Sequence, residues 1–433
     1  MPFRVFIALV TILSPMSTAH GQGVAPTNDF VTRALQANRE LSAARLDLER
    51  GRARLRQSGL RPNPTVDLEH TTGRLTGSPE ERDLSVGVAL PLELGGTRRR
   101  RIDLAEAELA AIEADVADRE RRLRADVLTA YAAVLAAQRE LQITADVEGL
   151  DSQTLRVVQI RVEQHDAAPL ELSLLRTEAE RLRARRVLAE GRVSAALIAL
   201  NNVIGASPEQ PVTVVETLTA RLVEMQQRVT TRDVAIATAL RRRPDLQMAR
   251  LNELTAEAGL RLARAQAFPD MTISARFITS RTANDLPMPL VPVVQRDRAL
   301  AVGVSIGLPF LNANQGARAE AAVAIRQARL RREFSEQRVR ADVTSAFRRL
   351  EAARAAIAIF EQGVIDRSTD NIRVVRAAYE LGEFRVTDLI NEQRRLLDSQ
   401  REYTDALVEG YLAVVDLNAA VAIAPGSEPR LTK

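Results

Sequence analysis

Apolar and polar residues alternate along four short stretches of this chain, and along four much longer ones the apolar residues recur at steps of three and four. The alternating stretches are Thr65 to His70, Leu84 to Pro91, Met271 to Phe277 and Leu300 to Pro309. A period of two gives a strand two unlike faces. Val86, Val88, Val302 and Val304 fall on one such face, and small or polar residues take the other. The long stretches run from Arg98 to about Gln164, Leu170 to Val203, Arg318 to Leu381, and Thr387 to about Ala420. Leu123, Val127, Ala130, Val134 and Leu141 illustrate the helical step, with Arg and Glu on the opposite faces. The first stretch has no proline, and at 1.5 Å per residue its ~65 residues reach ~100 Å. The pattern predicts antiparallel hairpins of long helices, packed like coiled coils.

These elements occur twice. Arg124-Ala125-Asp126-Val127 recurs as Arg340-Ala341-Asp342-Val343, an offset of 340 − 124 = 216. Leu155-Arg156-Val157-Val158 aligns with Ile372-Arg373-Val374-Val375 at an offset of 217, and Ala34 to Leu41 aligns with Ala239 to Leu246 at 205. The growing offset places an insertion between Pro269 and Arg340. A period this long marks a duplicated half rather than a solenoid unit. Each half is expected to run helix, two strands, long helix, turn, long helix. The expected boundaries are residues 23–210 for the first repeat and 211–425 for the second. Residues 426–433 are expected to form a disordered tail.

Composition changes this picture in three ways. Cysteine is absent from the 433 residues, which excludes disulfides, thiolate nucleophiles and cysteine metal sites. The net charge is only +4, with acids interleaved among arginines, so no clustered basic surface points to nucleic acid. Residues 1–22 read as a signal peptide: Arg4, an apolar run from Val5 to Leu13, then small residues before Gln22. No later stretch reaches the ~18 uninterrupted apolar residues of a membrane helix. The three histidines, His20, His70 and His165, have no ligand partners at trustworthy spacing. No phosphate loop or nucleophile constellation is present, so neither an enzyme nor a cofactor is expected.

The strand pairs bear on function. Their alternation suits an ordinary sheet on a soluble core as well as a membrane barrel, apolar outward and polar inward. Four strands cannot close a barrel alone, and open edges are not tolerated in lipid. A membrane reading therefore needs several chains to share one barrel, and three would give 4 × 3 = 12 strands.

The turns between long helices carry the candidate functional residues. One runs from Tyr379 through Gly382, Arg385, Thr387 and Asp388 to Asn391, and the other holds His165, Pro169 and Glu171. Gly382 is placed to end a helix, and Thr387 or Asp388 to cap the next. At the 217 offset, Glu171 aligns with Asp388.

With its duplicated halves, two strand pairs and the Tyr379, Gly382, Asp388 spacing, the chain resembles the TolC-type outer-membrane efflux family over nearly the whole mature length. Leu92-Glu93-Leu94-Gly95-Gly96 and Leu308 to Gly316 resemble its CzcC branch, which serves heavy-metal efflux. The resemblance implies a homotrimer in the outer membrane of a Gram-negative bacterium. Its 12-stranded barrel would continue as a periplasmic helical tunnel. It also implies docking with a periplasmic adaptor protein and an inner-membrane pump of the RND type. Tyr379, Arg385, Asp388, Asn391 and Glu171 would then be gate or tip residues. The family often has a second Asp where Asn391 stands, which leaves one fewer carboxylate per chain at the constriction. Drug efflux and type I protein secretion are alternative cargo readings. A soluble periplasmic coiled-coil adaptor is an alternative that leaves the strands unexplained.

Overall fold

The computed structural model describes residues 27–75, 81–226, 231–284 and 293–422. The expected leader at 1–22 and tail at 426–433 lie outside these residues. The first half contains α1 (Thr27–Ala37), α2 (Arg39–Ser58), β1 (Thr65–Thr72), β2 (Arg82–Leu92), α3 (Thr97–Glu163) and α4 (Pro169–Val203). The second contains α5 (Leu218–Gln226), α6 (Arg232–Arg242), α7 (Pro244–Ala265), β3 (Met271–Asn284), β4 (Val293–Ile306), α8 (Gln315–Ile359), α9 (Ile365–Glu380) and α10 (Val386–Val421).

The single leading helix expected in each half is divided, into α1 and α2 in the first half and into α6 and α7, preceded by the short α5, in the second. The break falls at Asn38 in the first half and at Arg243 in the second. These positions correspond at the 205 offset. Asn38 caps α2 by accepting from the Leu41 backbone N–H at 3.0 Å, while its amide donates to the Val203 carbonyl at 3.0 Å. Pro244 follows Arg243 and starts α7, where its missing N–H costs nothing. Arg243 is almost fully buried between Asp245, which it grips through two bonds of 2.9 and 2.6 Å, and Asp342 at 2.8 Å. Leaving either charge alone there would cost several kcal/mol.

The long run expected from Arg318 to Leu381 is also divided. One π turn at Phe360–Val364 separates α8 from α9. A π turn absorbs one extra residue within a helix. It lies between Arg340 and Ile372, where the repeat offset steps from 216 to 217.

The four strands form one antiparallel sheet in the order β1-β2-β3-β4. β1 and β3 follow helices, and β2 and β4 lead into them, so the strand ends at Thr72, Arg82, Asn284 and Val293 are the ones remote from the helices. α3 pairs with α4, and α10 returns along α8 and α9, giving two helical hairpins. α7 packs on both α3 and α8 and ties the halves together. The main core gathers around Phe30, Tyr131, Leu200, Leu350 and Tyr411. The Thr27 hydroxyl and the Tyr131 hydroxyl both donate to Glu216, at 2.8 and 2.9 Å, which anchors the inter-half connection.

That connection turns at Gly205, whose φ is +73°. A Cβ there would lie 2.5 Å from the Ala37 carbonyl oxygen. Both the left-handed backbone and the clash oppose a side chain. Gly205→Ala is expected to lower stability by about 2 kcal/mol, from the handedness cost of ~1–2 kcal/mol plus the contact. An unchanged thermal midpoint of the purified protein would show that the connection yields freely.

Candidate functional site

The two hairpin turns are built alike. α3 ends at Glu163, and His165 takes the left-handed position with φ 64°. α9 ends at Glu380, and Gly382 takes the corresponding position with φ 79°. The next N–H in each case bonds back across the turn, Asp166 to Arg161 at 2.7 Å and Glu383 to Ala378 at 2.9 Å. These bonds satisfy carbonyls that the helix ends would leave open.

The start of α10 differs from the sequence expectation. Arg385, not Thr387, occupies the N-cap, and Thr387 is the second residue of the helix. Asp388 is the third, and its carboxylate accepts the Arg385 backbone N–H at 3.0 Å. This is the acidic half of a capping box, which explains why Thr387 need not cap. Arg385, Asp388 and Asn391 are all exposed. Asp388 and Asn391, three residues apart, share one helix face.

Tyr379 and Glu171 are brought into contact. The Tyr379 ring is buried, 3% exposed, and its hydroxyl donates to Glu171 Oε2 at 3.1 Å. The Arg161 guanidinium lies over the ring, 5.8 Å from its centre. Burial first, then the Glu171 carboxylate, push the Tyr379 hydroxyl up to about 12. The hydroxyl therefore keeps its proton, and its role as donor, at any physiological pH. Glu171 is the third residue of α4, as Asp388 is of α10. Glu171 thus ties α4 to α9, linking the two hairpins of one chain, whereas Asp388 serves its own helix.

Two to three turns behind the tips lies a polar layer that sequence reasoning missed. Ile143, Val147, Asp151, Thr154 and Val158 follow one face of α3. Apolar clusters flank the layer: Val158, Leu175 and Leu389 toward the tip, and Ile143, Val147, Leu182 and Leu397 behind. Between them sit Asp151 of α3, Glu178 of α4 and Gln393 of α10, all buried. Glu178 is paired with Arg394 through bonds of 2.6 and 3.2 Å, which hold its carboxyl below the usual range. Asp151 has no such partner. Both of its carboxylate oxygens lack a hydrogen-bond partner of ordinary geometry among the described residues, and so does Gln393 Oε1. Burial pushes the Asp151 carboxyl up to about 6, the neighbouring Gln393 amide partly opposes it, and the Glu178 charge adds to the rise. The available signal was an acid interrupting an apolar helical stripe.

At the opposite end, the strand register sorts the sheet into two faces. Leu68, Val86, Phe277 and Leu300 align across the four strands on one face. All four are largely exposed. The other face carries Asp67, Glu69, Asp83, Ser274 and Arg276. Arg276 reaches across Gly87 to Glu69 at 3.6 Å. On β2 the apolar face runs from Leu84 to Leu92, nine residues. That matches the ~9–11 residues of a tilted membrane strand. No helix among the described residues is long and apolar enough to cross a membrane.

Residues 30–206 and 235–422 match the family described as "Outer membrane efflux protein". The cobalt-zinc-cadmium resistance protein CzcC of Cupriavidus metallidurans is 25% identical over 429 residues, covering 94% of this chain and 92% of that one. Among solved structures, CusC superposes with a TM-score of 0.75 at 19% identity, over 91% of each chain. The outer membrane protein VceC of Vibrio cholerae gives a TM-score of 0.72 at 18% identity, over 91% of this chain and 95% of that one.

Proposed function

This chain belongs to the outer membrane efflux protein family, and from that membership we propose that three copies form a passive exit duct, conducting substrate from the periplasm to the exterior. The observation that carries the reading is the sheet. It presents a continuous exposed apolar face on one side and polar residues on the other. Its two outer strands, β1 and β4, have edges that no strand among the described residues covers. Lipid tolerates such a sheet only in a closed barrel. Three sheets of four strands give 12 strands around one axis, with Arg276 and Glu69 facing the lumen. The long hairpins then continue the lumen as a tunnel through the periplasm.

In this reading residues 1–22 direct export, 23–210 and 211–425 are the repeats, and 426–433 are a tail. The tips meet a periplasmic adaptor protein and an inner-membrane pump of the RND type, which supplies the energy. Tyr379, Glu171, Arg385, Asp388 and Asn391 form the gate region. Three Asp388 carboxylates near one axis would attract cations, with Asn391 adding none of the second ring of charge. Heavy-metal cations are the proposed cargo, supported by the similarity to CzcC. Selectivity would then rest with the pump, since a chain with no cysteine and only three histidines offers few soft metal ligands.

Membrane fractionation followed by the mass of the detergent-solubilised protein tests the duct. A trimer in the outer-membrane fraction is expected, and a soluble monomer or dimer would sink it. Deleting the gene is expected to sensitise cells to cobalt, zinc or cadmium. Sensitivity to organic toxins alone, or loss of a secreted protein, would move the cargo reading to drug efflux or type I secretion.

A further inference from the structure

The apolar face of the sheet does not stay apolar to its end. At the end remote from the helices, the register places Arg82, Arg281 and Arg296 side by side on β2, β3 and β4. One row nearer the helices, Arg298 stands opposite Thr279, and the next row is the Leu68, Val86, Phe277, Leu300 layer. The arginines therefore continue the lipid-facing side. Strands ~4.8 Å apart put the three-arginine row within ~10 Å, with Arg298 ~7 Å along its strand.

Charge is segregated between the faces. Asp67, Glu69, Asp83 and Asp297 all fall on the polar side by alternation, and the described strand residues place no acid on the arginine side. Arg82, Arg296 and Arg298 are exposed and make no ion pair among the described residues. Like charges directly opposite one another destabilise a sheet. A row of them is stable where an anion lies against it, and a guanidinium binds phosphate in a forked, two-bond geometry.

We propose that this arginine patch binds the phosphate of a lipid headgroup in the outer leaflet of the membrane. The inference rests on the barrel reading above, which sets the helices in the periplasm and the loop end of the sheet at the outer surface. There the patch sits at headgroup depth, directly beyond the apolar band. It gives each protomer a binding site for a phosphorylated lipid, holding the barrel at a fixed height.

The test uses the full-length trimer in mild detergent, with lipid A carrying its phosphates as the probe and dephosphorylated lipid A as the comparison. Bound lipid is counted by native mass spectrometry. The wild type is expected to retain lipid A and to discriminate against the dephosphorylated form. In R82Q/R296Q/R298Q, lipid A affinity is expected to fall roughly a hundredfold, about a factor of five for each arginine near a charged headgroup. Glu69→Gln with Arg276→Gln, on the lumen face, should leave binding unchanged. Equal retention by the triple variant, or equal binding of the dephosphorylated lipid, would overturn the proposal. So would full displacement by inorganic phosphate, which would show a free-anion site. If the triple variant fails to assemble, discrimination by the wild type between the two lipids decides. A wild type that is not a membrane trimer would count against the barrel, whereas a membrane trimer indifferent to lipid phosphate would count against the patch alone.

Discussion

Tyr379→Phe is expected to raise the single-channel conductance of the protein in planar bilayers, or the fraction of time it spends in its highest conducting level. The substitution removes one oxygen and keeps the ring. The apolar packing of Tyr379, 3% exposed, is therefore retained. The hydrogen bond to Glu171, 3.1 Å long in the structure, is lost. A bond to an ionised carboxylate contributes ~1.5–3 kcal/mol, less where water reaches the acceptor, as it does at half-buried Glu171. Taking about 1–1.5 kcal/mol per chain, the three chains of the proposed trimer would sum to about 3–4.5 kcal/mol at one aperture. That changes the ratio of loosened to closed tips by roughly 10²–10³. Glu171→Gln keeps an acceptor for the Tyr379 hydroxyl and should shift the ratio less. A conductance that stays the same in Tyr379→Phe would show that the α4–α9 link does not hold the tips, whatever it adds to stability.

Much of this architecture is written in the chain before any coordinate is known. The duplicated segments, the four alternating strands and the proline-free helices follow from periodicity alone. Other features were visible but lacked a physical reading. The step in repeat offset from 216 to 217 is the extra residue that the turn at Phe360–Val364 takes up. Thr387 looks like the better cap by residue type, yet the Asp388 carboxylate reaches back to the Arg385 N–H, and the N-cap falls two residues earlier, at Arg385. Still other features depend on pairing that no local pattern contains. Arg82 and Arg296 are 296 − 82 = 214 residues apart, and only the register through β3 sets them in one row. Glu171 and Tyr379 are recognisable singly as turn residues, while their contact needs two hairpins laid together. Asp151 reads as one more acid on a mixed helix until α4 and α10 are packed around it.

The consequence of that packing is a stability that depends on pH, and Asp151→Asn is expected to abolish most of the dependence. In the folded chain the Asp151 carboxyl is pushed up to about 6, against 3.8 when it is free in water. The folded state therefore holds this proton more tightly than the unfolded state does. Stability from this site is greatest below about pH 4 and is lost as the pH rises through about 6. Two units correspond to about 3 kcal/mol per chain between the extremes. The Gln393 amide favours the ionised acid, but burial outweighs it. Asparagine carries a neutral amide of the same shape at every pH. Thermal or denaturant midpoints should show Asp151→Asn more stable than the wild type near pH 7.5 and nearly equal to it near pH 4. The midpoint difference is the measured quantity, and a constant difference across that range would mean that Asp151 does not titrate as its burial requires. The layer also sits directly behind the Tyr379–Glu171 contact and joins α3, α4 and α10 of both hairpins. If the tips form the proposed gate, destabilising this layer by ionising Asp151 would loosen them, so the asparagine variant should close them more firmly at neutral pH and oppose Tyr379→Phe in the double variant. Independent, additive effects on conductance would instead place the polar layer and the tip contact in separate structural units.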